Sequence, residues 1–132
     1  MCIRDRFKKR IDFLRKTAPK VKILYHTCGS VYELIPEFID CGIDILNPIQ
    51  PLAKNMEPER LKKAFGDEVC FHGGIDQQKV LPLYNPGEVK EYVRRVVSTL
   101  TPGYIVAPSH QIQGDVPPEN IQAMYAAATG PI

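Results

Sequence analysis

Four times along this chain a short β-rich run gives way to a few turn residues and then to apolar side chains at helical spacing, and that repetition leaves few folds open. The runs are Val21 to Tyr25, Ile43 to Leu46, Val69 to His72 and Tyr104 to Ala107. Their Val, Ile, Leu and Tyr content, without strict polar alternation, suits strands covered on both faces of a parallel sheet. After the first run, Val31, Leu34, Ile35, Phe38 and Ile39 form one helical stripe, with Ser30 and Glu33 spaced as a capping box and Gly42 as the stop. Pro36 requires that this helix either kinks or begins its main body there, because an interior proline removes a backbone hydrogen bond. A second helix is expected from Pro58 to a stop at Gly66. A third carries Val89, Tyr92, Val93, Val96, Val97 and Leu100 on one stripe, and a fourth opens at Pro117-Pro118-Glu119.

Strand and helix alternating in this way imply an α/β fold of βαβ units with right-handed crossovers. An open doubly wound sheet and a section of a (β/α)₈ barrel both satisfy the pattern. The barrel is preferred because a complete one needs about 250 residues. A chain of 132 residues would then supply four βα units, the C-terminal half of a (β/α)₈ TIM barrel.

Composition excludes several function classes. A net charge of +2 is too small to point to nucleic acid. Nine of the seventeen Lys and Arg lie between Arg4 and Lys22, where they alternate with Phe7, Ile11 and Leu14 as the solvated face of an amphipathic helix. No run approaches the length of a membrane span and no secretory signal opens the chain, so a cytoplasmic location is expected. Cys2, Cys28, Cys41 and Cys70 lack the spacing of a disulfide framework, which leaves free thiols or metal ligands. Residues 1–6 fit poorly with the helical segment they precede and are read as a non-native start, with the domain running over residues 7–132. The end at Gly130-Pro131-Ile132, just past a helical segment, also suggests a section of something larger.

In a parallel α/β fold the active site lies at the carboxyl ends of the strands. The segments there are His26-Thr27-Cys28-Gly29, Asn47-Pro48-Ile49-Gln50-Pro51, His72-Gly73-Gly74-Ile75-Asp76 and Ser109-His110-Gln111-Ile112-Gln113, which hold all three histidines of the protein. His26 and Cys28, two apart at a strand end, aim to the same side and can share a ligand. Both are natural zinc ligands, and a catalytic zinc takes three protein ligands and an open position. His110 is the better candidate for the third ligand and His72 the second. The competing reading has His26 hydrogen-bonding a neighbour while Cys28 packs. Gly73-Gly74 fits a tight turn leaving the strand, or a close approach of backbone to a ligand. Asp76 is a candidate acid or base, or the cap of the following segment. Asn47, Gln50 and Gln111 are candidates for holding substrate, since amides position ligands without titrating, and His72 is a further candidate for the same role.

These strand ends resemble the C-terminal half of the uroporphyrinogen decarboxylase family, which includes the heme-pathway decarboxylase and corrinoid-dependent methyltransferases. The resemblance runs from about residue 20 and is carried by His26-Thr27-Cys28-Gly29, by Gly74-Ile75-Asp76, and above all by Gly103-Tyr104-Ile105-Val106 through His110 to Gln113-Gly114-Asp115-Val116-Pro117-Pro118-Glu119-Asn120. It implies the last four units of a (β/α)₈ barrel. On the decarboxylase side, which is the leading expectation, it implies porphyrinogen carboxylate decarboxylation without a cofactor. There His110 and Asp76 are the catalytic candidates, and His110 contacts a tetrapyrrole. The catalytic aspartate and the carboxylate-holding arginines of the decarboxylase belong to the N-terminal half, and no Arg or Lys stands at the strand ends here. On the methyltransferase side it implies a zinc held by His26, Cys28 and a third ligand, with a methyl-corrinoid partner and a thiol acceptor. His110 stands where that branch has cysteine. A third expectation is an inactive half-barrel, which would form a homodimer or pair its edges with the missing N-terminal half.

Overall fold

The computed structural model describes residues 3–130. Cys2, the start of the 1–6 segment and the closing Pro131-Ile132 lie outside the described residues. Strands β1 (Leu24–His26), β2 (Ile45–Ile49), β3 (Cys70–Ile75) and β4 (Tyr104–Pro108) form one parallel sheet in the order β1-β2-β3-β4. Helix α1 (Ile3–Thr17) precedes β1, and α2 (Ile35–Cys41), α3 (Pro58–Phe65), the single-turn α4 (Val80–Leu83), α5 (Pro86–Leu100) and α6 (Pro118–Thr129) follow the strands in turn. Each strand pairs with its successor, so the order never reverses. A doubly wound sheet reverses at a switch point, whereas a barrel does not. The chain is therefore α/β, four βα units of a (β/α)₈ barrel.

One face of the sheet carries the core. Tyr25, Leu46, Phe71 and Tyr104 lie in register across the four strands, and Leu46 and Phe71 are fully buried. Against them pack Ile35, Leu61, Val89, Val93, Leu100 and Met124 from the helices. At about 25 cal/mol per Å² of apolar surface, each such side chain contributes roughly 1.5–3 kcal/mol. The other face is not covered as the strand composition implied. Leu24 is 46% exposed and Ile105 40% exposed, on the side that a barrel turns to its interior.

Several boundaries differ from the sequence reading for identifiable reasons. Residues 21–23 lie outside β1, although the Ile23 carbonyl accepts from the backbone amides of Asp44 and Ile45 at 2.9 and 3.1 Å; side chains take up two of their other backbone groups. Arg15 donates to the Val21 carbonyl, and the Asp44 carboxylate accepts from Ile23 N at 2.6 Å. β2 runs on through Pro48, tolerated by a register shift between Leu46 and Ile49. The expected Ser30–Glu33 capping box does not form. Ser30 Oγ instead donates to the Lys54 carbonyl, a 3₁₀ turn covers Tyr32–Leu34, and α2 begins at Ile35 with Pro36 in its first turn. Gly42 ends α2 as expected, in the left-handed region at φ 99°. The capping box is found at α5, where Asn85 accepts from Glu88 N and Glu88 accepts from Asn85 N.

Gly73 and Gly74 are not a turn. Both lie inside β3 at φ 112° and 85°, and a Cβ on Gly73 would sit 2.8 Å from Ile49 N. The close approach that glycine permits is to the irregular stretch of β2. From the helix side of the sheet Tyr104 donates to the Gly73 carbonyl and Tyr92 to the Gly74 carbonyl. Burial, helped by the nearby Asp76 charge, pushes the Tyr92 hydroxyl up to about 12. Burial likewise raises Tyr104 far above the ordinary phenol range.

Candidate active site at the strand ends

Period-two alternation places His26, Asn47 and His72 on the open face of the sheet, His26 as the last residue of β1 and the other two within β2 and β3 rather than past their ends, where the sequence had put them. They are joined edge to edge. His26 Nδ1 lies 2.6 Å from Asn47 Oδ1, and Asn47 Nδ2 lies 2.6 Å from His72 Nδ1. Cys28 Sγ lies 3.5 Å from His26 Nε2. The sequence reading brought His26 and Cys28 together, and the structure does the same. It gave no sign that Asn47 would bridge two histidines, because the pairing spans three strands.

A cleft of about 390 Å³ is lined by His26, Asn47, His72, Pro108, His110 and Gln111, among others. The three histidines thus share one mouth. His110 and Gln111 are exposed on the loop after β4. With its amide turned to satisfy both neighbours, Gln77 donates to the backbone carbonyls of Gln111 at 2.8 Å and His110 at 3.0 Å. Gln77 was not among the sequence candidates, since nothing in the local pattern ties it to the far loop.

Asp76 and Gln50 occupy a second, smaller cavity with Gln77, Gln78 and Ser109, and neither lines the three-histidine cleft. Asp76 is 3% exposed, and its carboxylate accepts from the backbone amides of Gln78, Lys79 and Val80 at 2.9, 3.2 and 3.3 Å. These are the bonds of the cap that the sequence allowed for. Gln50 Oε1 accepts from Gly29 N at 2.5 Å, which fastens the His26–Gly29 turn to the end of β2. Its acceptor is thereby committed to the protein's own backbone.

The donors can be tested against a zinc ion. Tetrahedral zinc, with Zn–N of about 2.0–2.1 Å and Zn–S of about 2.3 Å, holds its N and S ligands about 3.6 Å apart. The 3.5 Å between His26 Nε2 and Cys28 Sγ matches that edge. Asn47 at Nδ1 is the kind of outer partner that orients a ligating imidazole. Two corners fit, but no third is formed: among the described residues no group of three His, Cys, Asp or Glu is arranged to hold a metal. His110 shares the cleft without completing such a group. Cys28, Cys41 and Cys70 are free thiols, and burial raises Cys70 above the ordinary thiol range.

With the geometry in place, comparison with known proteins is decisive at one level. The model of the family described as uroporphyrinogen decarboxylase (URO-D) matches residues 3–130. The chain belongs to the uroporphyrinogen decarboxylase family. No curated protein sequence matches it at a significant level. Among solved structures, a methyltransferase from Methanosarcina mazei superposes with a TM-score of 0.72 at 20% identity, over 95% of this chain and 34% of that one. At that identity the likeness establishes the fold, and the chain spans about a third of the length of that protein. No helix among the described residues is long and apolar enough to cross a membrane.

Proposed function

We propose that this chain carries the strand-end cleft of a URO-D family enzyme of the methyl-transfer type, in which His26 and Cys28 are two ligands of a zinc ion and the acceptor is a thiol. The observation that carries this reading is the Cys28 Sγ–His26 Nε2 separation of 3.5 Å with Asn47 on the far ring nitrogen. Bound zinc would supply Lewis acidity that keeps a thiol acceptor as thiolate at neutral pH. The chain's own residues orient the site. Gln50 fastens the turn that bears Cys28, Asn47 sets the plane of the His26 ring, and His110 and Gln111 form the opposite wall where substrate would lie. Further ligands, a corrinoid partner and the strands that close the barrel over the open face would come from outside the described residues or from a second copy of the chain. Three free cysteines among the described residues accord with a reducing cytoplasm.

Elemental analysis of the purified protein, beside a His26→Ala, Cys28→Ser double variant, tests this. The expected result is stoichiometric zinc in the parent, lost in the variant. Zinc-free parent protein would sink the reading. A second reading, metal-independent decarboxylation of a porphyrinogen, is favoured by the exposed His110 at the rim and by the lack of a third metal donor among the described residues. Against it, neither cavity is lined by Arg or Lys that could hold substrate carboxylates.

A further inference from the structure

We propose that Asn47 is a positioning residue that forces His26 and His72 into opposite tautomers, so that His72 presents a ring N–H to the cleft while His26 presents a lone pair at Nε2. The two ends of the Asn47 carboxamide differ: one accepts and the other donates. Each end lies 2.6 Å from the Nδ1 of a different histidine. A neutral imidazole carries one ring proton, so the ring facing Oδ1 must have it on Nδ1 and the ring facing Nδ2 must not. The two histidines cannot then be alike. If both Nδ1 atoms carried protons, one N–H would point at the amide's own N–H at close range.

The far side of His26 decides which ring is which. Cys28 Sγ lies 3.5 Å from Nε2, and a thiol is a weak donor but a weaker acceptor, whereas an unprotonated imidazole nitrogen is a good acceptor. The S–H therefore donates to Nε2. That leaves the His26 proton on Nδ1, facing Asn47 Oδ1. Asn47 Nδ2 then donates to His72 Nδ1, and the His72 proton sits on Nε2. Each bond donates in the same direction, from Cys28 through His26 and Asn47 to His72, and such chains polarise cooperatively. Replacing the thiol proton by a metal ion would leave the rest of the chain of bonds unaltered, so the two tautomers are the same whichever of the two readings above holds.

The consequence for recognition is a difference between two histidines that look equivalent in the sequence. His72 offers a hydrogen-bond donor, matched by a carboxylate or carbonyl oxygen of a ligand in the cleft it lines. In this tautomer its Nε2 has no lone pair for a metal. The His26 Nε2 lone pair is instead engaged by Cys28.

The experiment is ¹⁵N-resolved NMR of histidine-labelled protein at about pH 7.5, between the ordinary imidazole and thiol pKa values. His26→Gln and His72→Gln variants assign the two rings. We expect His26 with a protonated, pyrrole-like Nδ1 and His72 with a pyridine-like Nδ1 and a pyrrole-like Nε2. Asn47→Asp, which offers an acceptor to both sides, should move the His72 proton onto Nδ1 and leave His26 Nδ1 protonated. A residue that only packed would leave the His72 ring as it was. The same tautomer for both rings in the parent protein, or an unprotonated His72 Nδ1 in a folded Asn47→Asp, would overturn the proposal. Should that variant not fold, the parent spectrum still decides.

Discussion

Replacing Asp76 by alanine separates a capping role from a chemical one. The carboxylate is 3% exposed and accepts three backbone amides at 2.9, 3.2 and 3.3 Å. A hydrogen bond to a charged group is worth about 1.5–3 kcal/mol, and longer bonds less. Taking about 1.5 kcal/mol for the shortest and about 0.5 kcal/mol for each of the others gives about 2.5 kcal/mol. Val80 is itself buried, so its freed amide cannot fully recover the loss from water, while Gln78 and Lys79 are exposed and can. For a chain of this size such a loss lowers the melting temperature by roughly 10 °C. Asp76→Asn keeps one acceptor and should lose about half as much. Urea titration measures the stabilities, and amide hydrogen exchange at residues 78–80 locates the effect. An alanine variant as stable as the parent, with unchanged protection at those amides, would refute the capping account and leave the Asp76 carboxylate free for proton transfer.

Gly73→Ala should destabilise by more than about 2 kcal/mol, because φ of 112° is strained for alanine and the new Cβ meets Ile49 N at 2.8 Å. Comparing its urea midpoint with that of Gly114→Ala, where nothing lies within 4 Å, isolates the clash. Acid should weaken the fold through Asp44. Burial alone would raise this carboxyl, but the Ile23 amide, the Arg15 guanidinium and the Lys22 charge outweigh it and hold it below its ordinary 3.8. A depressed folded value means that the contribution is complete above about pH 4 and is lost as pH falls through the lower folded value. In Arg15→Ala the acid-side decline in stability should be shallower, and an unchanged pH profile would disprove the linkage.

The four βα units could be found in the sequence because their signals are local. The Val89-to-Leu100 stripe and the stop at Gly42 each depend on residues within a turn or two of chain, and α5 and the end of α2 stand where these signals put them. The gathering of the three histidines was also legible, since a parallel α/β fold runs all its strands one way, although His72 lies within β3 rather than past its end. Local pattern misled wherever a partner from another strand or helix intervened. Ser30 bonded Lys54 rather than Glu33, Gly73 of β3 answered to Ile49 across the sheet, and Gln50 turned its acceptor to Gly29.

By itself the sequence determined the class of fold, the helix stops and the set of polar groups at the strand ends, because hydrophobic period and backbone preference are properties of neighbouring residues. Only the tertiary structure decided that the sheet runs in barrel order and that Asn47 bridges His26 and His72. Those outcomes depend on distances between strands some twenty or more residues apart in the chain, set by register and twist rather than by any residue's own preference.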